Sequence, residues 1–168
     1  QIQGFFDIPV DHLYAAPLLV RYLREKVPVE NRMVVAPDPG GLKMAYSYMK
    51  LLDAGLALTG KHRTSATQVE AFQLVGDVKG KDCILVDDMT TTAGTLAAAA
   101  ELTRKQGARS VRAAVTHCPI TPLGIQRLKE SAIEELITTD SIEPQDWGDY
   151  PITILTVADL LGDAIKRI

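Results

Sequence analysis

Short apolar runs alternate along the chain with segments of helical period, and each is closed by a polar or a glycine- and proline-rich stretch. Pro17 opens a segment in which Leu18, Leu19, Tyr22, Leu23 and Val27 recur at helical spacing, so a helix with proline in its first turn is expected there. Met33-Val34-Val35-Ala36 has the pattern of a buried strand, ended by Pro37-Asp38-Pro39-Gly40-Gly41. The helical period returns over residues 42–52, and Leu56-Ala57-Leu58 reads as a strand. Residues 61–68 are polar and lack periodicity, which predicts a mobile loop. Strands at 72–75 and 83–86 flank a turn at Gly76-Asp77-Val78-Lys79-Gly80-Lys81. A helix from about Gly94 to Gln106 is expected to stop at a left-handed Gly107. Beyond it the pattern predicts strands over 111–116, 135–138 and 152–155, and helices over 123–129 and 157–168.

Strands separated by helices imply βαβ units. The expected class is α/β, a mostly parallel sheet with helices covering both faces. Ligands of such sheets bind beyond the carboxyl ends of the strands, so candidate chemistry is sought in the turns that follow strands.

Composition narrows the choices. A chain of 168 residues with 46% hydrophobic and 23% charged residues suits one globular domain. The net charge of -3 gives no reason to expect a nucleic-acid partner. Apolar runs such as Leu96 to Ala100 are too short to cross a bilayer, and Gln1 to Asp11 lacks the pattern of a signal peptide. Cys83 and Cys118 sit in apolar surroundings and are expected to be free buried thiols. A cytoplasmic protein is therefore expected. The chain opens on Gln1 rather than Met, which suggests a fragment, a processed chain or one half of a split enzyme.

One turn carries most of the chemistry. In the run from Ile84 to Thr95 an apolar strand meets two carboxylates, Asp87 and Asp88, then a loop of hydroxyls and small residues, then an alanine-rich helix. Amides at a helix start, together with Thr91, Thr92 and Thr95, can converge on a phosphate, and Ala93 and Gly94 let the backbone approach it. Adjacent carboxylates can accept hydrogen bonds from the vicinal hydroxyls of a ribose, or attract a divalent cation. The plainer reading has Asp87 and Asp88 ending a strand and Thr92 capping a helix. Against it, two like charges side by side call for a ligand or cation to offset them. Elsewhere, residues 76–81 have the wrong spacing and context for a nucleotide-binding P-loop. His12 and His62 read as surface residues, His117 as a hydrogen-bonded structural histidine, and Trp147 as an anchor for a loop or a subunit contact.

Val86 to Thr95 resembles the phosphoribosyl-diphosphate-binding motif of type I phosphoribosyltransferases and ribose-phosphate pyrophosphokinases. The stretch from Gln1 to Asp11, the run Pro37 to Gly41, Leu74 to Val78 and the pair Thr116-His117 resemble segments of the pyrophosphokinases, in the same order and spacing. This resemblance implies the type I phosphoribosyltransferase fold, ribose 5-phosphate and ATP as substrates, Mg²⁺ as cofactor and assembly into a homo-oligomer. It further implies that the chain corresponds to the C-terminal half of the family. The N-terminal domain, with its adenine contacts and a metal-binding histidine just upstream of Gln1, would come from elsewhere.

By the same resemblance Asp87, with Asp88 beside it, binds the ribose hydroxyls, and Thr91, Thr92, Ala93, Gly94 and Thr95 hold the 5-phosphate. Asp38 matches a metal-binding aspartate, Gly40-Gly41 the loop facing the pyrophosphate, and Lys61 and Arg63 the cations of a flexible catalytic loop. Two positions depart from the family's usual pattern: Thr91 stands where the pyrophosphokinases mostly carry Asp, and Met44 where they mostly carry Arg. A type I phosphoribosyltransferase and a non-catalytic regulatory homologue remain alternatives at this point.

Overall fold

Cys83, Ile84, Leu85 and Val86 are wholly inaccessible to solvent, so the strand that contains them must be covered on both faces. The computed structural model describes residues 2–62 and 71–167, with the backbone alone at residues 3, 61, 62, 71 and 72. In chain order the elements are α1 (Ile2–Phe5), α2 (Ala16–Lys26), β1 (Arg32–Ala36), α3 (Leu42–Leu52), β2 (Gly55–His62), β3 (Ala71–Val75) and β4 (Asp82–Met89). They continue with α4 (Gly94–Lys105), β5 (Ser110–His117), α5 (Pro122–Glu130), β6 (Glu135–Thr139), β7 (Ile152–Leu155) and α6 (Ala158–Ile165).

The strands form one seven-stranded sheet in the order β3-β2-β1-β4-β5-β6-β7. Every pairing is parallel except β2 with β3, which is antiparallel. Alternation along β4 divides the core. Cys83 and Leu85 pack with Leu96, Ala99 and Ala100 of α4 and Leu128 of α5 on one face. Ile84 and Val86 pack with Leu19 and Leu23 of α2 and Ala45, Tyr48 and Leu52 of α3 on the other. Both thiols are free and buried, and burial pushes each up to about 12, so they behave as inert apolar groups.

Polar groups tie the amino end of the sheet together. Asp82 is buried and takes hydrogen bonds from the Arg109 guanidinium and, at 2.7 Å, from the Ser110 hydroxyl; the Arg109 bond holds its carboxyl below the usual range. On the neighbouring strands Glu135 accepts from Tyr22 at 2.6 Å, Thr153 at 2.8 Å and Arg112 at 3.2 Å, which joins α2, β5, β6 and β7. The carboxyl end is left for the loops that make the site.

Most predicted elements appear within a few residues of their expected bounds. The loop expected from residue 61 is corrected, because Lys61 and His62 continue β2 and pair with Phe72 and Ala71. An edge pairing can carry polar residues past the covered part of a sheet, where apolar periodicity has no core to answer. Residues 63–68, including Arg63, lie outside the described residues. The strands on either side of the 76–81 turn are not neighbours: β3 lies on the outer side of β2, and β4 lies against β1. Gly107 has the expected left-handed φ of 93°.

Candidate active site

The chain leaves β1 for β2 and β3 on one side, then returns to lay β4 on the other side of β1. The loops after β1 and β4 therefore diverge from adjacent strand ends, which opens a crevice at the switch point of the sheet. The two strongest sequence motifs are these two loops.

After β1, Asp38 is extended and its carboxylate accepts the amide of Gly41 at 3.0 Å, closing a 3-10 turn over Pro39–Gly41 that leads into α3. The Thr59 hydroxyl donates to the carbonyl of Pro37 at 2.8 Å and fixes the loop from β2. A Cβ at Gly40 would stand 3.1 Å from the Asp38 carboxylate, so the first glycine of the pair keeps that oxygen uncrowded. Met44, one turn into α3, packs against the apolar core, which accounts for an uncharged residue there.

At the carboxyl end of β4, Asp87 is half-buried and Asp88 exposed, and the Asp88 amide donates to the Asp87 carboxylate at 2.9 Å. Burial pushes the Asp87 carboxyl up to about 6, and the negative charges of Asp88 and Asp38 add to the rise. One carboxylate from the turn after β1 and two from the end of β4 thus share one field. The Thr90 amide donates to the His117 carbonyl at 3.0 Å, which pins the loop to β5. Asp87, Met89 and residues 90–96 line an open cleft of about 120 Å³.

Thr92 does not cap α4. The capping position belongs to Ala93, a buried residue in the left-handed region at φ 53° and ψ 12°. A left-handed residue followed by a helical one turns successive amides toward a common point, the concavity that favours anions. The amides from Thr92 to Thr95 donate to no group among the described residues.

Asp38, Gly40 and Gly41 thus lie on the turn after β1, Asp87 and Asp88 among the last residues of β4, and Thr91 to Thr95 on the loop that leads from β4 into the first residues of α4. Lys61 follows Gly60, where a Cβ would stand 3.7 Å from Pro39 of the Asp38 loop, so its backbone passes beside that loop. His12 is exposed, His117 lies 2.7 Å from the Ser141 hydroxyl, and Trp147 is buried in the core against Tyr150. Sequence reasoning passed over Thr121, Gly124 and Arg127, which hold the 90–93 loop from outside. The Thr121 amide donates to the Thr91 carbonyl at 2.9 Å, and Arg127 to the Thr92 carbonyl at 3.2 Å. Thr121 before Pro122 carries a legible helix-start signal, but nothing local tells which loop that helix meets.

Among the described residues no group of three or more His, Cys, Asp or Glu could hold a metal ion by itself. Mg²⁺ does not require one, since it keeps several waters and takes one or two carboxylates together with substrate phosphates. Hard oxygen donors from Asp38, Asp87 and Asp88, in mutual repulsion, fit such a shared ion.

Residues 14–142 match the family described as the phosphoribosyl transferase domain. A ribose-phosphate pyrophosphokinase of Porphyromonas gingivalis is 44% identical over 168 residues, all of this chain and 53% of the relative. One of Synechococcus elongatus is 47% identical over 171 residues, all of this chain and 51% of the relative. The crystal structure of phosphoribosylpyrophosphate synthetase from Mycobacterium smegmatis superposes with a TM-score of 0.88 at 40% identity, covering 99% of this chain and 54% of that one. The chain spans about half the length of the curated relatives it matches. Its mostly parallel sheet flanked by helices is the type I phosphoribosyltransferase fold. By the match over residues 14–142, the chain belongs to the phosphoribosyl transferase domain family, and its full-length likeness is to ribose-phosphate pyrophosphokinases.

Proposed function

We propose that residues 1–168 form the ribose 5-phosphate-binding domain, the C-terminal one, of a ribose-phosphate diphosphokinase. That enzyme moves the diphosphoryl group of MgATP to ribose 5-phosphate, giving 5-phosphoribosyl 1-diphosphate and AMP. The observation that carries the reading is the cleft lined by Asp87 and residues 90–96 at the carboxyl end of β4, with the Asp38 carboxylate near enough to act on Asp87.

In this reading the amides and hydroxyls of Thr91, Thr92, Ala93, Gly94 and Thr95 hold the 5-phosphate. Asp87 and Asp88 accept hydrogen bonds from the ribose hydroxyls, which directs O1 toward the Gly40-Gly41 turn, the loop that faces the diphosphate. O1 forms a bond to Pβ, and the bond from Pβ to the oxygen bridging to Pα breaks, so that oxygen leaves with AMP and the O1 proton passes to solvent. Asp38, with Asp87 and Asp88 across the crevice, holds Mg²⁺, which neutralises phosphate charge when bound. Lys61 and Arg63 offset the charge that develops on the ATP oxygens during transfer. The ATP adenine is bound by a second domain or partner subunit, which the greater length of the relatives supports. Assembly as a homo-oligomer fits the large exposed apolar side chains, among them Phe5 and Ile165. A cytoplasmic site of action fits the free thiols Cys83 and Cys118.

Thr91 and the apolar contacts of Met44 favour a second reading, a homologue that binds ribose 5-phosphate and assembles with an active enzyme without turning over. AMP formation from MgATP and ribose 5-phosphate separates the two. The 168-residue chain alone is expected to make none, and activity is expected when the complementary half of the Synechococcus elongatus relative is supplied. In that active mixture Lys61→Ala or Arg63→Ala should lower turnover by about 100-fold while leaving affinity for ribose 5-phosphate nearly unchanged. Robust turnover by the chain alone contradicts the division of labour, and near-normal turnover in both variants contradicts the role given to the cations.

A further inference from the structure

The 90–93 loop is shaped by an element that lines none of its cavity. The Thr91 carbonyl accepts two hydrogen bonds from the start of α5, from the Thr121 amide at 2.9 Å and the Thr121 hydroxyl at 3.2 Å. The next carbonyl, of Thr92, accepts from the Arg127 guanidinium at 3.2 Å. Two successive peptide groups are thus held by their oxygens on the α5 side. All peptide bonds here are trans, so each carbonyl fixes the N–H of the following residue in the opposite direction. The amides of Thr92 and Ala93 are therefore aimed away from α5.

The surroundings make this hold a close one. Gly124 of α5 is buried, and a Cβ there would stand 2.7 Å from the Thr91 carbonyl and 2.5 Å from Ile120. Gly94 gives Arg127 its space, since a Cβ there would stand 3.3 Å from the guanidinium. Ala93 adopts φ 53°, a conformation that costs a non-glycine residue energy and persists only where neighbours impose it. Its neighbours here include the buried core that holds its methyl group and, on the two carbonyls before it, Thr121 and Arg127.

We propose that Arg127, with Thr121, is a positioning residue for sugar-phosphate binding: through the Thr91 and Thr92 carbonyls it turns the Thr92 and Ala93 amides toward the phosphate. The inference rests on the reading of this loop as the phosphate site. Arg127 does not line the cavity and acts through the two carbonyls. Its charge behind the Thr92–Ala93 peptide also polarises that group, which strengthens its N–H as a donor to an anion.

The test uses the 168-residue chain, titrated with ribose 5-phosphate and with ribose by calorimetry. The backbone amide signals of Thr92 and Ala93 are followed by NMR in the same titrations. Arg127→Met is expected to weaken ribose 5-phosphate binding by about tenfold, leave the weak binding of ribose unchanged and shrink the downfield shift of both amides. Arg127→Lys, which keeps a cation able to reach the carbonyl, is expected to recover part of the affinity. Should Arg127→Met fold poorly, Thr121→Val removes the hydroxyl bond to the Thr91 carbonyl together with the cap on the Gly124 amide, and is expected to weaken ribose 5-phosphate binding while leaving that of ribose unchanged. Wild-type affinity in Arg127→Met overturns the inference and leaves the site reading standing. Equal losses for ribose and ribose 5-phosphate also overturn it, since a general weakening of the fold would act on both. Failure of the unaltered chain to bind ribose 5-phosphate overturns the site reading and the inference together.

Discussion

The charge on Asp87 costs the fold stability. Its carboxyl is half-buried between two other carboxylates and rises from 3.8 to about 6 in the folded chain. Because the folded pKa lies above the unfolded one, folding favours the protonated form; stability falls as pH rises from about 4 to about 6, and the cost is full above that window. Asp87→Asn keeps an acceptor for the Asp88 amide and removes the charge. In buffer free of divalent cations the variant should therefore melt higher than the parent at about pH 7.5, with the gain vanishing near pH 4, while binding ribose 5-phosphate more weakly. Melting curves at the two pH values check this, and an equal gain at both contradicts it. The pair Asp87-Asp88 was legible because adjacent like charges at a strand end stand out. The third charge, Asp38, joins them only through the order of the strands. Ala93 was legible as a small residue; its left-handed backbone was not, because alanine does not ordinarily announce a positive φ.

At the level of elements, α5 meets the 90–93 loop through a glycine. Gly124→Ala drives a methyl group into the space between Thr91 and Ile120, so the helix must back away. The expected cost is about 1–3 kcal/mol of stability, with weaker binding of ribose 5-phosphate. Leu123→Ala on the solvent side is the control, since Leu123 is 49% exposed and its truncation should do little. Denaturant melts of both variants give the comparison, and equal effects would mean that the glycine is not a contact point. Strongly periodic stretches such as 42–52 were read from sequence to the residue, because a helix with one buried face writes that face into its spacing. Partnerships were not. Residues 71–75 and 82–89 look like two strands around a turn, yet they lie on opposite sides of β1 and β2, since local pattern records which face is apolar and not which strand lies beside it. Lys61 and His62 are strand for a similar reason: their pairing with β3 supplies what their own polarity does not announce.

Considered whole, the chain carries the loops that suit a ribose 5-phosphate and spans about half the length of its relatives. The central claim is that this half recognises the sugar phosphate by itself, through its phosphate. The most direct measurement is the melting temperature of the 168-residue chain with ribose 5-phosphate and, in parallel, with ribose. At about a hundredfold excess over its dissociation constant, ribose 5-phosphate should add about 2.7 kcal/mol and raise the melting temperature by roughly 5–10 °C. Ribose, lacking the phosphate, should raise it far less. Equal shifts from the two sugars, or none from either, would contradict the account.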